Sequence, residues 1–142
     1  MGCVLKAEGT NFMVDAFLEQ SALSATARVF RRGEPEFPHT QPNGRVWESS
    51  RVAIRVSDRG FDNLEELIND TIAYLKQNND ELEKLCRFPG VEYVYVDFGV
   101  RYGGEPVECY HLPPELLHLA SNLGVGVELS LYDMAADPTC DV

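Results

Sequence analysis

Segments with strand periodicity alternate with segments of helix periodicity through the second half of this 142-residue chain. In residues 51–57, apolar Val52, Ile54 and Val56 alternate with mostly polar residues, as in a strand with one buried face. Between residues 64 and 85, leucines and isoleucines recur at intervals of three and four, which predicts one long helix. This alternation is typical of a domain that contains both helices and a sheet.

The helices of this half have recognisable end signals. Asp62 or Asn63 is expected to cap the long helix, because either side chain can accept a free backbone N–H. Phe88-Pro89-Gly90 is expected to end it, since proline lacks an N–H and glycine permits a reversal. A second, shorter helix is predicted to begin at Pro113-Pro114 and to end at Gly124.

Two further strands are predicted, at residues 91–102 and 125–133. In the first, Val94, Val96, Phe98, Val100 and Tyr102 share one face, and Tyr93, Tyr95, Asp97 and Arg101 share the other. In the second, Val127, Leu129 and Leu131 share one face, and Glu128, Ser130 and Tyr132 the other. Both strands therefore predict a sheet with one apolar face and one polar face.

The first half of the chain is less regular. Residues 12–20 alternate in polarity and are predicted to form a strand, whereas 21–27 are ambiguous between states. Residues 28–32 are predicted to form another strand. The segment 33–50 contains three prolines and is predicted to be an irregular surface loop, and loops of that length in small domains are often functional.

These elements predict one α+β domain that spans residues 1–142, with a core at 12–134 and a C-terminal tail at 135–142. We expect a mixed or antiparallel sheet of about five strands with two helices packed on one face. A ferredoxin-like arrangement is compatible with this order. No apolar run approaches the ~20 residues that span a bilayer, and the N-terminus lacks a signal pattern, so a cytoplasmic protein without membrane contact is expected.

The charge of the chain is strongly negative and uneven. The net charge is −11 at pH 7, and residues 60–142 carry four basic and sixteen acidic residues. Such a chain is repelled by nucleic acid and attracted to a basic protein partner. No nucleic-acid partner is therefore expected. The alternative is that the excess of acid only keeps the protein soluble.

Motifs for catalysis are absent. The sequence has no P-loop, no G-x-S-x-G, no H-E-x-x-H and no G-x-G-x-x-G, and its four cysteines show no C-x-x-C spacing. No catalytic residue, metal site or cofactor is therefore predicted. The alternative is an enzyme built on Cys109 or His111, which are close in sequence and include two kinds of reactive side chain.

The predicted binding residues lie on the polar face of the sheet and at the end of the 33–50 loop. They are Trp47, Arg51, Arg55, Tyr93, Tyr95, Asp97, Arg101 and Tyr132. Tyrosine, tryptophan and arginine are enriched at binding hot spots because each combines a flat contact area with a polar tip. The alternative is that residues 1–50 fold over this face as a second layer and bury it.

The order of the elements resembles an uncharacterised bacterial family, the domain-of-unknown-function family numbered 4279. The resemblance covers residues 12–134 and rests on the early strand, Arg32-Gly33-Glu34-Pro35, Gly44-Arg45-Val46-Trp47, the strand at Arg51 with the Leu-rich helix, the strand 94–102, the helix at 112–117, and Leu131-Tyr132-Asp133. It implies a small bacterial α+β domain. It brings no activity and no site residues.

The sequence thus favours a non-enzymatic interaction protein, immunity- or antitoxin-like, whose acidic surface covers a basic partner. The first alternative is a small-molecule binding domain that uses the polar face and the 33–50 loop. The second is the Cys/His enzyme. A homodimer is also predicted if residues 94–100 lie at an exposed sheet edge, because unpaired strands pair between chains.

Overall fold

A computed structural model describes residues 2–61 and 63–134; the predicted tail at 135–142 and Cys140 lie outside the described residues. The domain is α+β, as predicted. Its elements are β1 (Cys3–Gly9), α1 (Val14–Gln20), a short 3-10 helix (Ala22–Thr26), β2 (Ala27–Phe30), β3 (Ser50–Ser57), α2 (Leu64–Gln77), α3 (Asn79–Cys86), β4 (Tyr93–Tyr102), α4 (Pro114–Leu123) and β5 (Gly126–Asp133).

The five strands form one mixed sheet in the order β2-β3-β1-β4-β5. The first four are antiparallel to their neighbours, and β5 is parallel to β4. A parallel neighbour requires a crossover, which α4 supplies. From β1 to β4 the chain follows the β-α-β-β-α-β order of ferredoxin-like domains, with α2 and α3 together in the second helical position, and α4 and β5 are added to that unit.

The core lies on one face of the sheet, against the helices. In the central strand β1, Cys3, Leu5 and Ala7 are fully buried, whereas the residues between them are only partly buried. The helical side of the core is formed by Val14, Phe17, Leu67, Ile68, Thr71, Leu75, Leu82, Leu85, Leu116 and Ala120. Because successive strand residues point to opposite faces, the other face of the sheet is left without helices from the described part of the chain.

The prediction of a strand at residues 12–20 is wrong. The segment contains α1, whose buried residues Val14 and Phe17 are three apart, and Leu18 packs against the same core. This is the spacing of one helix face. The strand that precedes the helix is β1, where Cys3, Leu5 and Ala7 alternate with partly buried residues.

The predicted long helix at 64–85 is two adjoining helices that meet at Asn78. The Asn78 side-chain amide donates a hydrogen bond of 3.0 Å to the carbonyl of Tyr74. Asparagine is disfavoured in helix interiors because its side chain forms such hydrogen bonds with nearby backbone groups in competition with the helix. The helices pack on one face of the sheet, as predicted, and with α1 and α4 they number four among the described residues.

The predicted helix ends are confirmed where they are described. Asn63 Oδ1 accepts the backbone N–H of Glu66 at 3.1 Å; Asp62, the other predicted cap, is outside the described residues. Gly124 follows α4 with φ 81°, a left-handed conformation that glycine adopts without a steric cost. No helix in the described ranges is long and apolar enough to cross a membrane.

The 33–50 segment is more regular than predicted. The N–H of Gly33 bonds the carbonyl of Trp47, the N–H of Trp47 bonds that of Glu34, and the N–H of Glu36 bonds that of Arg45, each at 2.9 Å. These bonds form a short ladder beyond β2 and β3. The segment is therefore an extension of the β2–β3 hairpin, and it places Trp47 beside the sheet.

The hydroxyl of Tyr74 is buried and has no hydrogen-bond partner among the described residues. Burial raises the pKa of this phenol to about 12. Since a buried unpaired hydroxyl costs about 1–3 kcal/mol, we expect Tyr74→Phe to raise the free energy of unfolding by about 1 kcal/mol in urea denaturation. Tyr110→Phe is the control, because the Tyr110 hydroxyl donates to Glu108, and it should not stabilise. A loss of stability in Tyr74→Phe would contradict this account of the core.

Burial of the Cys3 thiol predicts that the free energy of unfolding falls at alkaline pH. Burial raises its pKa from 9.0 to about 12, despite a hydrogen bond with Thr71. Above pH 9 the unfolded chain loses this proton while the folded chain keeps it, so the free energy of unfolding should fall as pH rises from 9 towards 12. Chemical denaturation across this range measures the slope. Cys3→Ala should show a shallower decline, with the remainder due in part to Cys86, whose pKa is also raised by burial, and an unchanged slope would exclude Cys3 as a source.

Candidate functional site

The registers of the strands align the outward side chains in rows across the helix-free side of the sheet, here called the polar face. The first row is Phe30, Arg51, Glu8 and Tyr93, the second is Arg28, Ala53, Lys6, Tyr95 and Gly126, and the third is Arg55, Val4, Asp97 and Glu128. The polar face is completed by two further register pairs, Gly99 with Ser130 and Arg101 with Tyr132. All the predicted strand residues of the binding site therefore share one face.

The alternative prediction, a second layer formed over this face by residues 1–50, is not met by the described residues 2–50. β1 and β2 are strands of the sheet itself, and α1 packs on the core face. Within the described ranges, aromatic side chains from outside the strands reach the polar face at two corners, where Trp47 and Phe61 lie. Between these corners no further element of the described chain covers the face. Tyr93, at the end of the face where β4 begins, is 64% exposed.

A hydrogen-bonded ion pair lies at the centre of the polar face. Lys6 Nζ donates to Asp97 Oδ2 at 2.9 Å, and Ser130 Oγ donates to the other carboxylate oxygen at 2.6 Å. Only 13% of the Asp97 side chain is exposed. Burial alone would lower the pKa of Lys6, but the hydrogen bond and charge of Asp97 outweigh it and raise that pKa. Lys6 therefore stays charged and is not suited to act as a base.

The corner formed by β2 and β3 is an aromatic and arginine cluster. The rings of Phe30 and Trp47 lie 5.0 Å apart, and the Arg51 guanidinium is 5.6 Å from the centre of the Trp47 ring. Arg51 also donates to Glu8, at 2.6 Å from Nη2 and 2.9 Å from Nε. These contacts fix the guanidinium in place. Arg55, further along β3, is exposed and pairs with Asp58 at 3.0 Å.

The opposite corner has a second cluster of the same kind. Phe61 packs against Tyr132 with ring centres 5.0 Å apart, and Arg101 lies 5.8 Å from the centre of the Phe61 ring. A side chain at Gly99 would collide with Phe61, so this glycine permits the ring to lie directly on the sheet. The polar face is thus bounded by two aromatic–arginine clusters with ion pairs between them.

An acidic cleft of about 510 Å³ opens at the end of the polar face where β5 begins. Its polar lining consists of Glu8, Glu92 and Glu128 with Tyr93 and Tyr95. The cleft exists because Gly126, the neighbour of Tyr95 in the register, has no side chain. Burial, and secondly the charge of Glu8, raises the pKa of Tyr95. Tyr95 therefore stays a neutral phenol at neutral pH.

The Cys/His alternative has less structural support. Cys109 and His111 line a second cavity of about 530 Å³ between α2 and the loop before α4. No hydrogen bond joins the two side chains in the described structure, and Cys109 is exposed. No group of three or more metal-ligating side chains occurs among the described residues.

The residues that the sequence analysis missed are mainly those of β1. Lys6 and Glu8 hold the central contacts of the polar face, yet their strand was not predicted. The alternation of Cys3, Leu5 and Ala7 with polar neighbours was the available signal. The predicted dimer edge is also wrong, because β4 lies between β1 and β5 and the edges of the sheet are β2 and β5.

Comparisons with known proteins give no family for this chain. No family model, no curated protein and no solved structure matches it. The resemblance to the family numbered 4279 therefore stays a prediction. The function has to be argued from the polar face and its charges.

The central ion pair should contribute more to stability than an exposed pair. Asp97→Ala leaves Lys6 and Ser130 without their partner in a partly buried position, so we expect a loss of about 2–3 kcal/mol. Glu115→Ala is the matched control, because Glu115 pairs with Lys76 at 2.5 Å while both side chains are 56% exposed, and exposed pairs contribute about 0–1 kcal/mol. Urea denaturation of both variants measures the difference. Equal losses would mean that Asp97 is solvated like a surface residue.

Proposed function

We propose that this protein is a non-enzymatic interaction domain, immunity- or antitoxin-like, that binds a basic protein partner through the polar face. The observation that carries the proposal is a sheet face without a covering layer in the described structure, bounded by two aromatic–arginine clusters and ending in an acidic cleft. The proposal places the protein in a bacterial cytoplasm, in keeping with the resemblance described above.

The clusters supply the contact chemistry of a protein interface. Trp47 and Arg51 at one corner, and Phe61, Arg101 and Tyr132 at the other, are already held by ring and guanidinium contacts. Side chains fixed in this way lose little conformational entropy on binding. Tyrosine, tryptophan and arginine are also the residues that most often act as hot spots. The polar face therefore supports binding of an extended protein surface.

The acidic cleft favours a basic partner. The strand residues of the polar face include five basic side chains (Arg28, Arg51, Arg55, Lys6 and Arg101) and three acidic ones (Glu8, Asp97 and Glu128), so the face as a whole is not acidic. Lys6 and Arg51 are engaged by Asp97 and Glu8, and carboxylates converge at the end of the face, next to Glu128. The cleft beside it can accept a lysine or arginine side chain, because carboxylates bond the cation and phenol rings attract it. The net charge of −11 would steer a basic protein towards the domain.

The small-molecule alternative is less well supported. It predicts a ligand site that uses the 33–50 loop and the sheet face near Trp47, Arg51, Arg55 and Tyr95. In the structure, Trp47 packs on Phe30, and Arg51 is bonded to Glu8. The acidic cleft at the start of β5 is open and shallow. Small molecules prefer enclosed, mostly apolar pockets.

The proposal is tested by affinity capture from the protein's own cells, at low and high salt, with three forms of the tagged chain. They are the wild type, a polar-face variant (Tyr93→Ala with Glu128→Lys) and a control variant (Leu117→Ala with Glu105→Lys). The control also removes an exposed apolar side chain and reverses one carboxylate, but its residues lie on α4 and in the loop before it. We expect a basic protein to bind the wild type and the control at low salt and to be released at high salt.

The polar-face variant should retain at least about tenfold less of that protein, which corresponds to about 1.4 kcal/mol. Capture of no basic protein would contradict the proposal. Equal retention by the two variants would also contradict it, because the binding would then not depend on the polar face. Circular dichroism of the purified variants verifies that each is folded before the comparison.

A further inference from the structure

The strand β5 is a long edge strand with a regular register. It pairs with β4 over eight residue pairs, from Gly126 to Asp133, without a register shift. No strand in the described part of the chain pairs with its other side. The opposite edge of the sheet, β2, has only four residues. Of the two edges, β5 therefore offers the longer run of unpaired backbone groups.

This edge has only one of the features that usually prevent strand pairing. Edge strands are commonly protected by charged side chains, above all lysine, by proline, by a bulge or by shortness, and of these β5 has only the carboxylates of Glu128 and Asp133. The sequence from Gly126 to Asp133 contains neither lysine nor proline, and its pairing with β4 has no bulge. Leu131 is 54% exposed although it lies on the core side of the sheet. An apolar side chain is thus left beside a backbone edge whose protecting charges are carboxylates, which would not repel a basic segment.

We infer that the basic partner binds by adding an extended segment to the free edge of β5, with basic and apolar side chains in alternation. This inference rests on the proposed function and specifies how the partner docks. Strand addition gives affinity through main-chain hydrogen bonds, and alternate side chains give specificity. On the core side, apolar residues of the segment would cover Leu131. On the polar-face side, lysine or arginine would reach Glu128 and the acidic cleft.

Charge complementarity selects this occupant over a second copy of the chain. The charged residues of β5 are Glu128 and Asp133, and Glu92 lines the cleft at the start of the strand. A segment approaching this edge therefore meets carboxylates on the strand itself. A second copy would bring the same carboxylates and a net charge of −11 to the same edge, and like charges oppose such a pairing.

The probe for the test is a fluorescent peptide of seven residues in which lysine and valine alternate, with blocked termini. The control peptide has the same composition, with the lysines and the valines in separate blocks. Fluorescence anisotropy gives the Kd of each peptide for the full chain. Hydrogen exchange of the backbone amides, with and without the peptide, shows where it binds.

The expected result is that the alternating peptide binds at least about tenfold more tightly than the control peptide, and that amides of residues 126–133 become protected. Leu131→Lys should weaken binding about tenfold, since lysine on an edge strand disfavours pairing. Leu117→Lys adds the same charge on α4, where the side chain is 45% exposed, and should change the Kd less than about twofold.

Three results would overturn strand addition. The first is equal binding of the two peptides, and the second is that no amide of β5 becomes protected when peptide is added. The third is that, without peptide, the amides of β5 become more protected as the protein concentration rises, which would assign the edge to a second copy. Retention of the captured basic protein by variants at Tyr93 and at Leu131 distinguishes a failure of this inference from a failure of the proposed function. If its retention depends on Tyr93 but not on Leu131, strand addition is wrong and the proposed function stands. If its retention depends on neither residue, both are wrong.

Discussion

The structure depends on burial of only one face of the sheet. β1 occupies the centre, between β3 and β4, and its residues Cys3, Leu5 and Ala7 have no exposed surface. Because side chains alternate along a strand, packing all the described helices against that side directs Lys6 and Glu8 to the other. The apolar burial stabilises the fold, and the same geometry creates a polar face in the middle of the sheet.

The polar face is stabilised by its own contacts rather than by a covering layer. Lys6 with Asp97, and Arg51 with Glu8, neutralise each other within the face, so little net charge remains at its centre. Towards β5, the periphery of the face carries carboxylates, in the cleft and along the strand. A partner would therefore meet ordered aromatic and ion-paired groups in the middle and carboxylates at one edge. This separation of contact and charge supports a protein interface more than a catalytic site.

Much of this arrangement could be predicted from the sequence. In a long alternating segment such as β4, the sequence predicted both the strand and its two faces, because polarity and burial alternate together from Tyr93 to Phe98. The seven-residue helix α1 could not be separated from a strand, since in so short a segment Val14, Phe17 and Leu18 fit both periods partly. The contact between Lys6 and Asp97 joins residues 91 positions apart. Such pairs depend on strand order, which local periodicity does not contain.

The central claim is that the polar face is open to solvent and to a partner. Two alanines on neighbouring strands test it, because Ala53 lies on the polar face and Ala7 on the core face. Each is replaced by cysteine in a chain whose four native cysteines are replaced by alanine, and labelling by a thiol reagent is timed in the folded protein. The account predicts rapid labelling of Ala53→Cys and strong protection of Ala7→Cys. Strong protection at both positions would contradict it, because the polar face would then be covered.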